Sequence, residues 1–235
     1  MKKNVMMRIA SVLLVAVMLT TCVISGTFAK YVTSDEATDS ARVAKWGVVV
    51  TVTGDAFAKT YALDTVAPGV DNGLAVESST EDKVVAPGTT GTFGGISVTG
   101  TPEVAVNINT EATVVLNGWE LAGSVFYCPV IVTIGTTDIC GLDYTSAADF
   151  ADAIELAIEA ANGNYEANTN LSGVTGLNGS YTWEWAFTDA DHDATGHTHV
   201  IEQTDGRDTE LGNRAANGFL NNISITVETI VTQID

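Results

Sequence analysis

Valine, isoleucine and threonine recur with a period of two along several stretches, and this alternation constrains the fold more than any other feature. Val48, Val50 and Val52 share one side of a stretch whose other side carries Val49, Thr51 and Thr53. Val104, Val106 and Ile108 alternate with Ala105, Asn107 and Asn109, and Val130, Val132 and Ile134 repeat the pattern. Successive side chains of a pleated strand point to opposite faces, and β-branched residues pack well there. Turn signals punctuate the runs at Thr53-Gly54-Asp55, Pro68-Gly69, Asp71-Asn72-Gly73, Pro87-Gly88, Gly94-Gly95 and Asn117-Gly118. Many short strands with such punctuation predict an all-β, jelly-roll-like antiparallel β-sandwich.

A long strand is expected at Asn222 to Ile234. Ile223, Ile225 and Val227 share one face, but Ile230, Thr232 and Ile234 have the opposite parity. A one-residue bulge near Thr229 would bring both sets to the same face. One amphipathic helix interrupts the strands, at about 146–161. Ser146 can cap it, with Asp149 as the box partner, and Phe150, Ile154 and Ile158 form an apolar stripe. Asp152, Glu155 and Glu159 are expected to face water, and Gly163 to Gly179 reads as a loop.

The first 29 residues have the layout of an export signal. A basic start, Met1 to Arg8, precedes an apolar run of 17 residues from Ile9 to Ser25. Thr27 and Ala29 then stand at the −3 and −1 positions of a cut between Ala29 and Lys30. A retained anchor helix is the rival reading, and Cys22 offers a lipidation alternative. The expected organisation is a signal peptide at 1–29, an N-terminal segment at 30–45 and one β-sandwich domain at 46–235 that carries the helix.

After the cut the chain has 7 basic and 29 acidic residues, a net charge of −22. Such a chain repels phosphate backbones and anionic membranes, so nucleic acid is excluded as a partner and stable membrane insertion after cleavage is not expected. The full sequence, with 46% apolar and only 17% charged residues, is nonetheless too apolar for a disordered acidic tail. Four of the seven remaining cations, at Lys30, Arg42, Lys45 and Lys59, lie near the new N-terminus. A locally basic terminus on an acidic body suits contact between the terminus of one copy and the body of another.

The chain has no GxSxG, HExxH, Walker, GxGxxG or CxxC pattern, so no catalytic residues are assigned and the chain is read as a non-enzyme. Its densest polar cluster is Asp189 to His199, which holds all three histidines. Asp189, Asp191 and Asp193 start like a calcium loop, but Ala194 and Val200 stand where the turn glycine and the bidentate glutamate belong. His197 and His199 would point the same way on an extended backbone, as zinc ligands can. The cluster is either a divalent-cation site, for calcium or zinc, or a solvated acidic loop; the fold requires no cofactor. Trp183 and Trp185 alternate onto one face, either as core or groove residues or as a sugar-stacking platform. Cys128 and Cys140 flank the run Pro129–Ile134. A disulfide is permitted outside the cell, but a hairpin turning at Gly135–Asp138 does not set them directly opposite, and two buried free thiols are the alternative.

The signal ending Gly26-Thr27-Phe28-Ala29-Lys30-Tyr31-Val32 leads into SDEATDSARVAKWGVVVTV. Trp183-Glu184-Trp185, Asp208-Thr209-Glu210-Leu211-Gly212-Asn213 and the final Val231-Thr232-Gln233-Ile234-Asp235 follow downstream. In this order the segments resemble the TasA/camelysin group of biofilm-matrix fibre proteins, exported by Gram-positive bacteria with a SipW-type signal. The resemblance is firmest over 1–53 and 181–235. It implies a jelly-roll subunit of extracellular or cell-surface filaments, processed by a signal peptidase of the SipW type. The strand freed by cleavage would insert into the next subunit, giving a head-to-tail homopolymer that other matrix proteins could join. Carried onto this chain, the donor begins Lys30, Tyr31, Val32, Thr33, Ser34, Asp35 and runs to about Asp39. Camelysin-like members are metalloproteases. Without HExxH that activity is not carried over, and the 189–199 loop is the only place for it. The rivals to a fibre subunit are therefore a monomeric surface-binding module and a metalloenzyme using that loop.

Overall fold

The computed structural model describes residues 11–17, 42–54, 56–62, 74–93, 95–187, 204–219 and 221–235. The chain divides into two compact units, Met1–Arg42 and Val43–Asp235. In the first, residues 11–17 form helix α1. No helix among the described residues is long and apolar enough to cross a membrane.

The second unit is an all-β sandwich in which every strand pairing is antiparallel. Its elements are β1 (Val49–Val52), β2 (Thr60–Ala62), β3 (Leu74–Glu77), β4 (Thr90–Phe93), β5 (Ile96–Thr99), β6 (Val106–Asn117), β7 (Glu120–Leu121), β8 (Val125–Phe126), β9 (Val130–Ile134) and β10 (Thr137–Cys140). Helix α2 (Ala147–Ile158), β11 (Gly163–Tyr165), β12 (Tyr181–Trp185), α3 (Thr204–Ala216) and β13 (Asn222–Gln233) follow. One sheet has the order β10-β9-β12-β4 and another β11-β6-β13, with the two-stranded pairs β1-β5, β2-β3 and β7-β8 beside them.

Of the alternating runs, β6 buries every second side chain, β9 is buried on both faces and β1 is exposed on both. On β6 Val106, Ile108, Thr110, Ala112 and Val114 are buried while the residues between them are not. On β12 Tyr181, Trp183 and Trp185 point inward, and together with β9 these side chains belong to one continuous core. Trp183 and Trp185 are 2% and 5% exposed, so they are core side chains and not a stacking platform for sugars.

Helix α2 starts as its sequence dictates. Ser146 Oγ accepts from the Asp149 N–H at 3.1 Å and donates to Asp149 Oδ2 at 2.8 Å. A short 3-10 turn carries the helix to Ala161, and Phe150, Ile154 and Ile158 sink into the core. The stretch after it is more structured than a loop. It contains β11 and a 3-10 turn at Leu171–Gly173, and it buries Leu171 and Leu177.

Three expectations are corrected. First, β13 has no bulge: its register on β6 is unbroken from Asn222 opposite Asn117 to Gln233 opposite Val106. Thr229 keeps the inward parity because its Oγ1 lies 3.1 Å from that of buried Thr110, a hydrogen-bonded pair that satisfies both hydroxyls. Ile230 then faces out, 52% exposed, and Val231 packs on the core. Second, a further helix, α3, joins α2. Third, Glu155 and Glu159 do not simply face water. Glu155 Oε1 accepts from the Val114 N–H at 2.7 Å and Glu159 Oε1 from the Ala112 N–H at 2.9 Å.

Cys128 and Cys140 are buried and unbonded to each other. The β9-β10 hairpin turns at Gly135-Thr136, with Gly135 at φ 64°, and it sets Cys140 opposite Ile131. Burial pushes the Cys140 thiol up to about 12 and the Cys128 thiol higher still. Both thiols therefore stay protonated and unreactive near neutral pH. The folded protein is expected to take up no iodoacetamide at pH 7 and both equivalents in urea; native labelling would contradict the burial. The sign of the linkage is also set. Unfolded thiols ionise from about pH 9 while the folded ones remain protonated, so stability present below pH 9 is lost as pH rises towards 12.

Candidate functional site: an open sheet edge beside a trench

A sheet edge exposes unpaired N–H and C=O groups that can pair with another chain. The two edges of the β11-β6-β13 sheet are treated differently. On the β6 side, β11 covers Val106 to Ile108. Beyond it, side chains take over. Asn162 Oδ1 accepts from the Thr110 N–H at 2.6 Å, its Nδ2 donates to Thr110 O at 2.8 Å, and Glu159 and Glu155 take the next two outward N–H groups. The helix and its C-terminal turn thus serve as a side-chain substitute for a strand. On the opposite side β13 is the last strand of its sheet, and among the described residues no strand or side chain pairs with that edge. At 12 residues it is about 40 Å of extended chain, far longer than the four-residue outer strands β4 and β10 of the other sheet.

A trench runs beside the start of this edge. Its narrow part, about 390 Å³, lies between Val52–Gly54, Ala56 and Phe57 on one wall and Ile223 to Val227 on the other. Its wide part, about 890 Å³, has Trp119, Trp185 and Leu211 at the bottom and Phe219, Glu77, Asp82 and Lys83 among its walls. Phe57, Lys83 and Ile223 line both parts, so the two are continuous.

The far wall is held by aromatic contacts. Trp183 Nε1 donates to Ala56 O at 2.7 Å, and its ring lies 5.2 Å from that of Phe57. The indole reaches across β4 only because position 91 is glycine: a Cβ there would sit 2.3 Å from Ala56 O and 2.5 Å from Trp183 Nε1. Tyr61 donates its hydroxyl to Val84 O at 2.9 Å and accepts from the Ala58 N–H at 3.1 Å, which ties the 56–61 stretch to the 78–85 loop.

The base of the wide part is fixed by α3. Asp208, 9% exposed, accepts from Tyr127 OH at 2.6 Å and from Trp185 Nε1 at 3.0 Å. Trp185 packs on Trp119, centroid to centroid 5.6 Å, and Trp119 Nε1 donates to Asn222 O at 3.0 Å, where β13 begins. Glu210 Oε1 accepts from the Ala122 N–H at 2.7 Å, and Leu211 is buried beside the tryptophans. Gly218, at φ 89°, ends the helix. Its N–H bonds Ala215 O, and the Phe219 N–H bonds Arg214 O, which is the Schellman arrangement. The Asp208-Thr209-Glu210-Leu211-Gly212 segment therefore docks a helix onto the tryptophans.

The residues singled out by sequence divide as follows. Ala29 and the donor residues Lys30, Tyr31, Val32, Thr33, Ser34 and Asp35 lie outside the described residues, as do Asp189, Asp191, Asp193, His197 and His199. Among the described residues no group of three or more His, Cys, Asp or Glu side chains could hold a metal ion. The strand edge, the trench and the covering role of Glu155, Glu159 and Asn162 were not foreseen. Only the unusual length of the C-terminal strand pointed to them. No family model, no curated protein and no solved structure matches this chain.

Proposed function

We propose that this protein is a secreted, non-catalytic subunit of extracellular filaments, of the TasA/camelysin kind. Subunits join when the N-terminal segment released by cleavage after Ala29 adds as a strand to the next copy. The observation that carries the reading is the 12-residue edge of β13, with which no strand pairs among the described residues, beside a trench. In strand addition, backbone hydrogen bonds supply affinity and side-chain pockets supply register. β1 approaches β13 without pairing with it, so an incoming strand would add to β13 by displacing β1 from that edge. Donor and acceptor are different surfaces, so association is head-to-tail and builds a fibre rather than a closed dimer. Cleavage by a signal peptidase of the SipW type is what frees the donor, and other matrix proteins can enter the same way.

Negative-stain electron microscopy of residues 30–235, with the uncleaved chain as control, tests this. Filaments are expected only after cleavage, and deletion of 30–39 is expected to abolish them while leaving a folded monomer. Intact filaments from the deletion variant would overturn the reading.

A further inference from the structure

We infer that the trench receives the N-terminal segment of a second copy in one orientation, parallel to β13, with Tyr31 seated in the wide end. This deepens the filament reading and rests on it. Three observations carry it.

The first is shape. The trench has one wide part and one narrow part, 890 and 390 Å³. The segment from Lys30 to Asp39 contains one large side chain, Tyr31, followed by Val32, Thr33, Ser34 and then short or acidic residues. The larger part is the one rich in aromatic residues: Trp119, Trp185, Phe57 and Phe219 line it, whereas Phe57 is the one aromatic residue of the smaller part. Offset or edge-on ring contacts make such a pocket favourable for a further aromatic side chain.

The second is charge. The wide end carries Glu77 and Asp82. A chain cut after Ala29 begins with two positive charges, the α-amine and the Lys30 ammonium, and both arrive with Tyr31. Asp35 and Glu36 then lie further along, beyond Lys83, the one cation that lines both parts of the trench. The reverse orientation sets Asp35, Glu36 and Asp39 towards Glu77 and Asp82, and like charges across an interface disfavour it.

The third is length. Ten residues of extended chain span about 33 Å, within the roughly 40 Å of the β13 edge. Tyr31 opposite the start of β13 leaves the remaining donor to run along its open length.

Cysteine pairs in mature 30–235 filaments test the orientation. Val32→Cys with Ser79→Cys is expected to form an intersubunit disulfide under mild oxidation, and Asp39→Cys with Ser79→Cys is expected not to. The opposite result would establish the reverse orientation and overturn this inference. Filaments with neither crosslink would show that the trench is not the acceptor, while the filament reading stood. A mature chain that forms no filaments would overturn both. Independently, Tyr31→Ala is expected to raise the critical concentration about tenfold or more, with Tyr31→Phe restoring assembly. A Tyr31→Ala chain that assembles like the parent would remove the anchor.

Discussion

Replacing Asp208 by alanine is expected to cost about 2–6 kcal/mol, because the Tyr127 hydroxyl and the Trp185 indole each lose a carboxylate acceptor, at about 1–3 kcal/mol apiece. Both side chains are core, 2% and 5% exposed. The loss should appear in urea unfolding as a lower midpoint. It should also appear as faster amide exchange confined first to α3 and to Ala122, where Glu210 ties the helix down. Asp208→Asn keeps one acceptor oxygen but turns an amide donor towards the other partner, so it should recover part of the loss only. Tyr127→Phe in the Asp208→Ala background should cost less than in the parent, as expected for residues sharing one network. Equal cost in both backgrounds would show that the carboxylate does not bind the phenol.

Removing the two helix carboxylates should have a comparable effect by a different route. Glu155→Ala with Glu159→Ala strips acceptors from the Val114 and Ala112 N–H groups. These residues are 6% and 8% exposed, and unpaired buried N–H groups cost about 1–3 kcal/mol each. A summed loss of about 2–5 kcal/mol is expected. The same change bares a second sheet edge, so concentration-dependent association should appear in light scattering even in a chain lacking residues 30–39. Glutamine at both positions retains an acceptor oxygen and should behave close to the parent. If the alanine variant stayed monomeric and stable, the helix would be packing on the sheet without guarding it.

The parts of this fold that were legible in sequence are those set by local periodicity. Alternating Val and Ile residues marked β6, β9 and β13. The Ser146–Asp149 pair and the Phe150, Ile154, Ile158 stripe marked α2 to within a residue at its start, while its last three expected residues form the 3-10 turn Glu159–Ala161. Features decided by a distant partner were not legible. Helix α3 has two interior glycines, Gly206 and Gly212, and only Leu211 as a large apolar residue, so no stripe announced it. It is held by Asp208 and Glu210 reaching to β12, Tyr127 and Ala122. The missing bulge in β13 has the same origin. Period counting keeps Thr229 inward with Val227 but meets a parity slip at Ile230, and only the Thr110 hydroxyl across the ladder makes an inward threonine cheap enough for the register to run on unbroken. Glu155 and Glu159 look like solvated charges on any helical wheel, because nothing local reveals that β6 offers them bare N–H groups. The trench also draws its walls from residues 52–57, 77–85, 119, 185, 211–222 and 223–227, and no short window of sequence contains it.

Under the proposed strand addition, the unequal edges of the β11-β6-β13 sheet would also set a stoichiometry. One rim is occupied by the protein's own carboxylates. The other faces β1, whose far side is already taken by β5, and β5 in turn is backed by the chain at Leu177–Gly179. An edge bounded in this way would accept a single strand, whereas amyloid-like stacking needs an edge that regenerates after each addition.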